Sequence, residues 1–469
     1  MSKILTLLLL FQTGLLFGEN SHILINGYFP GAEGLTIRLM EYGDMISFHE
    51  QEIGSAVVDD SGRFSIDITR RNTQYVFLRM DHARMGLFVE PGNTYSLEFE
   101  PVNFSHLDDS RNPYLDPWYF NYTIIEPENT LNDRIDEFDE LFHEFLLKNF
   151  SRIHQGRNRN LFDDFRSHTD SIFAEVDDEW FRDYYQYKYA YYYRTANLES
   201  FSAQMNKYIL NRPVLYHNTQ YMNYFNAVFD TYIFAGSRNV KVSDLTHTVN
   251  HLNSYDALID SLGKDTLLKN ERLRELVMVK ALQDMYSNPD FIQQNVESIL
   301  QHVNNNSKFP EHRIIAGNIL FEKNKLTRGS YAPDIEVYDV NGNAKQIPGD
   351  FEGKIIYMGF WASWCESCLL EFIALNEVYK QFDNHDEVVF INISTERDPA
   401  VFSAFVQSSD YPWYNFHFNH DFRILDAYEV RSLPVYVIID DQGRIIDYPA
   451  MKPSGDIIER INRILKRKN

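Results

Sequence analysis

Ile355-Ile356-Tyr357-Met358-Gly359-Phe360-Trp361-Ala362-Ser363-Trp364-Cys365-Glu366-Ser367-Cys368-Leu369-Leu370-Glu371-Phe372 is the stretch on which the fold turns. Ile355–Phe360 is a compact apolar run of strand length, and Glu366–Phe382 has helical spacing. Cys365 and Cys368, the chain's only cysteines, stand at the join. Two thiols at i and i+3 on a first helical turn can close a disulfide with little backbone movement. The open N–H groups and positive dipole end of the helix stabilise a thiolate on the first of them. A Cys so placed titrates at roughly 3.5–7.5 instead of about 8.5, so much of it is ionised near neutrality. The second, deeper on the helix, is positioned to attack a mixed disulfide and release the product.

Two other readings of a Cys pair stand beside redox chemistry. One is an inert disulfide at a strand-to-helix turn. The other is zinc, which normally takes four Cys or His ligands; His417 and His420 are the one further pair with suitable spacing. A disulfide framework is excluded, because no other Cys exists for this pair to bridge to.

Working outward, the pattern continues with a buried strand at Val388–Ser394 and helices at Pro399–Val406 and Phe422–Tyr428. A hairpin follows, Val435–Asp440 with Arg444–Tyr448 around Asp441-Gln442-Gly443. The chain closes on an amphipathic helix whose Ile457, Ile458, Ile461, Ile464 and Leu465 share a face. Alternating strands and helices imply an α/β domain over residues 327–469, its central sheet covered on both sides.

Residues 111–326 read as all-α, with helices at Leu131–Phe150, Asn160–Ala174, Asp178–Phe201, His217–Phe234, Leu267–Ser287, Asp290–His302 and His312–Asn324. Its tyrosine run from Tyr184 to Tyr193 is read as core packing with hydroxyls bonded at the rim. Residues 19–110 alternate with period two, with strands at His22–Phe29, Leu35–Tyr42, Arg63–Ile68, Tyr75–Met80, Gly86–Glu90 and Tyr95–Phe99, and so read as a β-sandwich. Residues 1–18 read as an export signal: Lys3 precedes the mostly apolar run Ile4–Phe17, too short for a comfortable membrane span.

Composition bounds the function. Lys and Arg total 44 against 67 Asp and Glu, a net charge of −23, which argues against nucleic acid as a partner. At 469 residues the chain suits about three domains of roughly 100–200 residues each.

Several motifs in the last part agree in order and spacing. Ala332-Pro333-Asp334-Ile335, Asp339-Val340-Asn341-Gly342, Gly353-Lys354, Phe360–Cys365 and Ser432-Leu433-Pro434 together resemble the TlpA/ResA-like branch of the thioredoxin superfamily. In the first part, Ala56–Phe64 and Phe88–Asn93 resemble a β-domain that precedes such modules in many exported bacterial proteins. The resemblance implies a periplasmic or envelope-associated thiol–disulfide oxidoreductase with a role in redox homeostasis, of a family several of whose members serve cytochrome c maturation. It implies Cys365 as attacking and Cys368 as resolving thiol, Pro434 as a cis-proline, and Leu433 as holder of an extended substrate. Trp364, with Trp361, would pack around the pair. Glu371 matches the family's acid one turn past the second Cys, a candidate to take its proton. Thioredoxin itself carries a buried Asp where this chain has Gly359.

The chain departs from the family in having Glu366-Ser367 between the cysteines, where Pro commonly precedes the second, and Ile373 where Pro commonly follows. Glu366 adds negative charge beside the thiolate, which favours the oxidised pair and makes the protein more reducing. Disulfide-containing client proteins are the expected partners. With no third Cys, electrons are expected from a membrane thiol donor. A homodimer through the helical part is a further partner the sequence allows. No organic cofactor or metal is implied. A peroxiredoxin is the alternative enzyme, though no P-x-x-x-[TS]-x-x-C pattern surrounds Cys365. An envelope binding protein with a vestigial redox domain is the non-enzymatic alternative.

Overall fold

The computed structural model describes residues 21–80, 83–101, 120–230, 232–237 and 239–468. The apolar run Ile4–Phe17 and the expected export signal lie outside the described residues.

Strands β1 (Ser21–Tyr28), β2 (Thr36–Tyr42), β3 (Glu50–Val57), β4 (Arg63–Arg70), β5 (Gln74–Met80), β6 (Ala83–Val89), β7 (Thr94–Phe99) and β8 (Tyr122–Glu126) come first. They form two four-stranded sheets, ordered β4-β1-β7-β8 and β3-β2-β5-β6. Period-two alternation points Phe64, Ile66 and Ile68 of β4 and Met85, Leu87 and Val89 of β6 into one shared core. The sequence reading lacks β3 and β8, and both are edge strands. Neither strand has a fully buried residue, so neither shows the alternation that β4 and β6, also at sheet edges, retain. β8 falls in the stretch read as the start of the helical part, and it pairs with β7.

The helices that follow are α1 (Leu131–His154), α2 (Arg159–Ile172), α3 (Glu179–Thr195), α4 (Phe201–Gln204), α5 (Thr219–Phe229), α6 (Val242–Thr246), α7 (Tyr255–Leu262), α8 (Glu271–Tyr286), α9 (Gln293–Asn306) and α10 (Pro310–Asn324). Thr130 starts α1 with a capping box: its hydroxyl accepts the Asp133 N–H, and the Asp133 carboxylate accepts the Thr130 N–H. The helices expected over Asp178–Phe201 and His217–Phe234 stop sooner, at Thr195 and Phe229, and π-type turns follow at Met205–Ile209 and Tyr232–Gly236. Tyr184, Tyr185, Tyr187, Tyr189 and Tyr193 are buried. The Tyr184 hydroxyl donates to Asp139, that of Tyr187 to the Tyr208 carbonyl, and that of Tyr193 to Asp163. Side chain and main chain join this part to the sandwich: the Asn132 amide pairs with both main-chain groups of Phe88 at 2.8 Å.

The last part holds β9 (Ile335–Tyr338), β10 (Ala344–Ile347), β11 (Ile355–Trp361), α11 (Glu366–Phe382), β12 (Val388–Ser394), α12 (Pro399–Ser409), β13 (Tyr414–His417), α13 (Phe422–Ala427), β14 (Val435–Ile439), β15 (Ile445–Asp447) and α14 (Ile457–Lys468). Its seven-stranded mixed sheet runs β10-β9-β13-β12-β11-β14-β15. β11 is parallel to β12 and antiparallel to β14. Every residue of β11 and β12 is buried, as a central strand covered on both faces requires. Ile356, Met358 and Phe360 face one core, with α13; Tyr357 and Trp361 face the other, with α11 and α14. Gly359 lies on the second face, where an added Cβ would stand 2.5 Å from the Tyr436 ring and 2.8 Å from Asn392 Oδ1. Tyr436 thus fills the space above Gly359, and only glycine fits beneath it. β13 was not read from the sequence, and neither was the β9–β10 hairpin; each of these strands is four residues long.

Beyond β13 the backbone turns left-handed at Asn419 (φ 50°) and His420 (φ 59°). Burial pushes the His420 ring down to about 4; His417 and Arg397 lower it further and Asp398 opposes them. Its pKa is depressed on folding, so stability is lost as pH falls from about 6.5 towards about 4, where the unfolded ring takes up a proton and the folded one resists. His420→Asn keeps a residue tolerant of positive φ. Urea unfolding of this variant is expected to show a shallower loss of stability across that interval; an unchanged slope would contradict the assignment.

Candidate active site

The end of β11 and the start of α11 bring the two cysteines together. The Trp361 carbonyl accepts from the Thr395 N–H at 2.8 Å, which pins the strand end against the turn after β12. The Cys365 N–H donates to the Ala362 carbonyl at 3.1 Å, closing the intervening turn. Cys365 is the N-cap residue of α11, with φ −86° and ψ 95°. Cys365 and Cys368 form a disulfide, with their Cα atoms 5.2 Å apart.

Access to the two sulfurs is unequal. Cys365 is 7% exposed and Cys368 is 0% exposed, so an incoming thiol meets Cys365 first. Cys365 Sγ accepts the Cys368 N–H at 3.2 Å, in the manner of a capping oxygen. The Ser367 hydroxyl lies 3.3 Å from the same sulfur and can donate to it. Both donors, and the helix dipole behind them, favour negative charge on Cys365 once the disulfide is broken. Glu366 in the same first turn opposes it, from an exposed position. The Ser367 contact is a consequence of the departure from Pro that the sequence alone did not disclose.

The aromatic residues around the pair divide. Trp361 is buried and packs on Phe372 and Phe405, with ring centroids 4.9 and 4.7 Å away. Trp364 is 37% exposed and presents apolar surface next to Cys365. Leu433 packs against the apolar cluster that contains both cysteines. The Leu433–Pro434 bond is cis, and Pro434 stands one step past the last β11–β14 rung, Phe360–Val435. Cys365, Cys368, Trp364 and Leu433–Pro434 therefore gather at one end of the sheet.

Glu371 is bonded elsewhere. Its carboxylate accepts the Ser454 N–H at 2.9 Å and the Ser454 hydroxyl at 2.8 Å, tying α11 to the loop before α14. Its charge also reaches the buried phenols of Tyr357 and Tyr436, whose pKa values are raised first by burial and then by neighbouring charge.

Glu396 was not read as a site residue. Its carboxylate accepts the Ser363 N–H at 2.5 Å, two residues before Cys365, and its carbonyl accepts from His417 Nε2 at 2.6 Å. His417 Nδ1 accepts the Asn419 N–H at 3.0 Å. A ring that donates from one nitrogen and accepts at the other is neutral, in keeping with the lowering of its pKa by burial. Both nitrogens of His417 are thereby engaged, so His417 braces the redox turn through Glu396 and has no ring nitrogen left for the zinc alternative. Behind β11 sits Asn392, whose buried amide has no protein partner among the described residues. A polar residue inside the apolar run Val388–Ser394 was the one visible signal of it.

A thioredoxin-like family model matches residues 353–445. The thiol-disulfide oxidoreductase ResA of Bacillus subtilis (strain 168) is 33% identical over 129 residues, which cover 26% of this chain and 68% of ResA. ResA of Geobacillus thermodenitrificans (strain NG80-2) is 27% identical over 141 residues, covering 28% of this chain and 74% of that protein. The crystal structure of the thioredoxin domain of a thiol-disulfide oxidoreductase from Bacteroides vulgatus is 25% identical, covers 31% of this chain and 99% of that one, and superposes with a TM-score of 0.27. By the family model, which spans the redox turn and much of the sheet around it, and by the 33% identity to ResA of Bacillus subtilis over 68% of that protein, the chain belongs to the ResA-like thiol-disulfide oxidoreductases of the thioredoxin-like family.

Proposed function

We propose that the chain reduces disulfides of exported client proteins in the periplasm or the cell envelope. The observation that carries this is the inequality of the two cysteines: Cys365 is 7% exposed, with two hydrogen-bond donors around its Sγ, and Cys368 is fully buried. The Cys365 thiolate attacks one sulfur of the client disulfide, forming a mixed disulfide and expelling the other sulfur as a thiolate. Cys368 then loses its proton and attacks Cys365 Sγ, which re-forms the pair and releases the second client sulfur. The client gains two electrons and two protons, and the Cys365–Cys368 pair is oxidised.

Trp364, next to Cys365, and the Leu433–Pro434 segment, at the same end of the sheet, hold an extended client strand beside the sulfur in this reading. Glu366 favours the reducing direction. The chain has two cysteines in all, so a membrane thiol donor restores the dithiol. The apolar run Ile4–Phe17 supports export, and the family resemblance supports a place in cytochrome c maturation. Among the described residues no helix is long and apolar enough to cross a membrane.

Two sets of variants test this. Cys365→Ser is expected to abolish reduction of a disulfide-bonded protein such as insulin, and Cys368→Ser to accumulate a mixed disulfide that dithiothreitol reverses. Activity retained in Cys365→Ser would contradict the proposal. We further propose that Glu371 accepts the Cys368 proton, having given up Ser454 as its partner. Glu371→Gln is then expected to slow resolution of the mixed disulfide by about 100-fold or more and to remove a limb of its pH profile. A wild-type rate with an unchanged profile would leave Glu371 the tether of Ser454 alone.

A further inference from the structure

A cleft of about 1330 Å3 separates the β-sandwich from the α/β domain, and it ends at the redox turn. Thr36 and Arg38 of β2, with Arg79 and Met80 of β5, form one wall. The opposite wall includes Ser363 and Trp364, the two residues before Cys365. Ion pairs fix the walls to each other: Arg79 with Asp426 at 2.5 Å, Arg423 with Glu52 at 2.6 Å and Arg38 with Asp421 at 3.8 Å. Sites for small ligands occupy roughly 300–1,000 Å3, so this cleft is large for a glutathione-sized molecule and suits a length of polypeptide.

The charge in the cleft is unbalanced. Arg38, Arg79 and Arg423 are held by Glu50, Glu52, Asp421 and Asp426. His420 is neutral at pH 7, its pKa lowered to about 4. Arg397 lies over the Phe422 ring at 5.4 Å. Asp334, Glu336, Glu396 and Asp398 also line the cleft. The excess is negative, in a chain of net charge −23. It lies on the approach to Cys365.

We propose that the β-sandwich is the second wall of a client-binding cleft, which admits an extended, Lys- or Arg-bearing polypeptide segment and delivers its cystine to Cys365. The inference rests on the reductase reading above. The sandwich is then a selector of clients, and the ion pairs across the cleft set its width. An acidic segment is repelled by Asp334 and Glu336 before it reaches Trp364.

The test uses the reduced full-length chain and three disulfides: a cystine peptide flanked by lysines, the same peptide flanked by glutamates, and dithionitrobenzoate. The second-order rate constant with the lysine peptide is expected to be about tenfold above that with the glutamate peptide at low salt. The ratio is expected to approach one at about 1 M salt, where the screening length is about 3 Å. It should also approach one in the double variant Asp334→Asn/Glu336→Gln, whose two side chains are exposed. Thr36→Trp, which narrows the cleft from the sandwich side, is expected to lower the rate with the lysine peptide several-fold relative to the rate with dithionitrobenzoate. A wild-type ratio of one, or peptide rates unmoved by Thr36→Trp, would overturn the cleft proposal while reaction with dithionitrobenzoate upholds the reductase. Failure with all three disulfides would overturn both.

Discussion

Burial of β11 on both faces sets the position of the redox pair. With no residue of Ile355–Trp361 at the surface, the strand cannot slip its register without exposing one apolar set and colliding with another. Its fixed end fixes the start of α11, and so the N-cap at which Cys365 stands. Thr395 on the Trp361 carbonyl and Glu396 on the Ser363 N–H hold the three residues between strand and cap. His417 holds Glu396 in turn. The chemistry at Cys365 thus depends on packing in the sheet and on a short series of hydrogen bonds from β13 to the turn.

At the sulfur itself, opposing influences meet. The N-cap hydrogen bond, the Ser367 hydroxyl and the helix dipole favour the thiolate, and the exposed Glu366 carboxylate disfavours it. Charges at the surface are weakened by solvent and salt, whereas a hydrogen bond to the sulfur is not. The pair is therefore tuned by both residues between the cysteines, Glu366 through charge and Ser367 through a direct contact. Nucleophilicity at Cys365 follows from that balance, and a proline at residue 367 would remove the Ser367 contact while leaving the N-cap bond and the helix dipole.

Much of the α/β domain was legible because its signals are local. The helix Glu366–Phe382 and the strand Val388–Ser394 fall at the residues their periodicity marks, since buried apolar runs and a helical stripe need only neighbours in sequence to be recognised. The strands β3, β8 and β10 were not legible, because β3 and β8 have no fully buried residue and β10 has one, which leaves no alternation to read. Glu396 and His417 were not legible as a brace either: they are 21 residues apart and meet only because β12 and β13 pair. For Glu371 the spacing put the acid one turn past Cys368, but Ser454, 83 residues away in sequence, decides where its carboxylate bonds. The cleft between sandwich and redox domain has no local signature at all, being made from segments more than 250 residues apart.

The central claim, a Cys365–Cys368 pair that exchanges and favours the reducing direction, is tested most directly by redox titration of the purified protein. The pair would be equilibrated in dithiothreitol or glutathione buffers and its state read by thiol trapping. The account predicts a midpoint near or below about −270 mV, in the range of thioredoxin. A midpoint between about −120 and −180 mV would make the protein an oxidant or isomerase and contradict that direction. A pair that never exchanges would contradict the redox reading altogether.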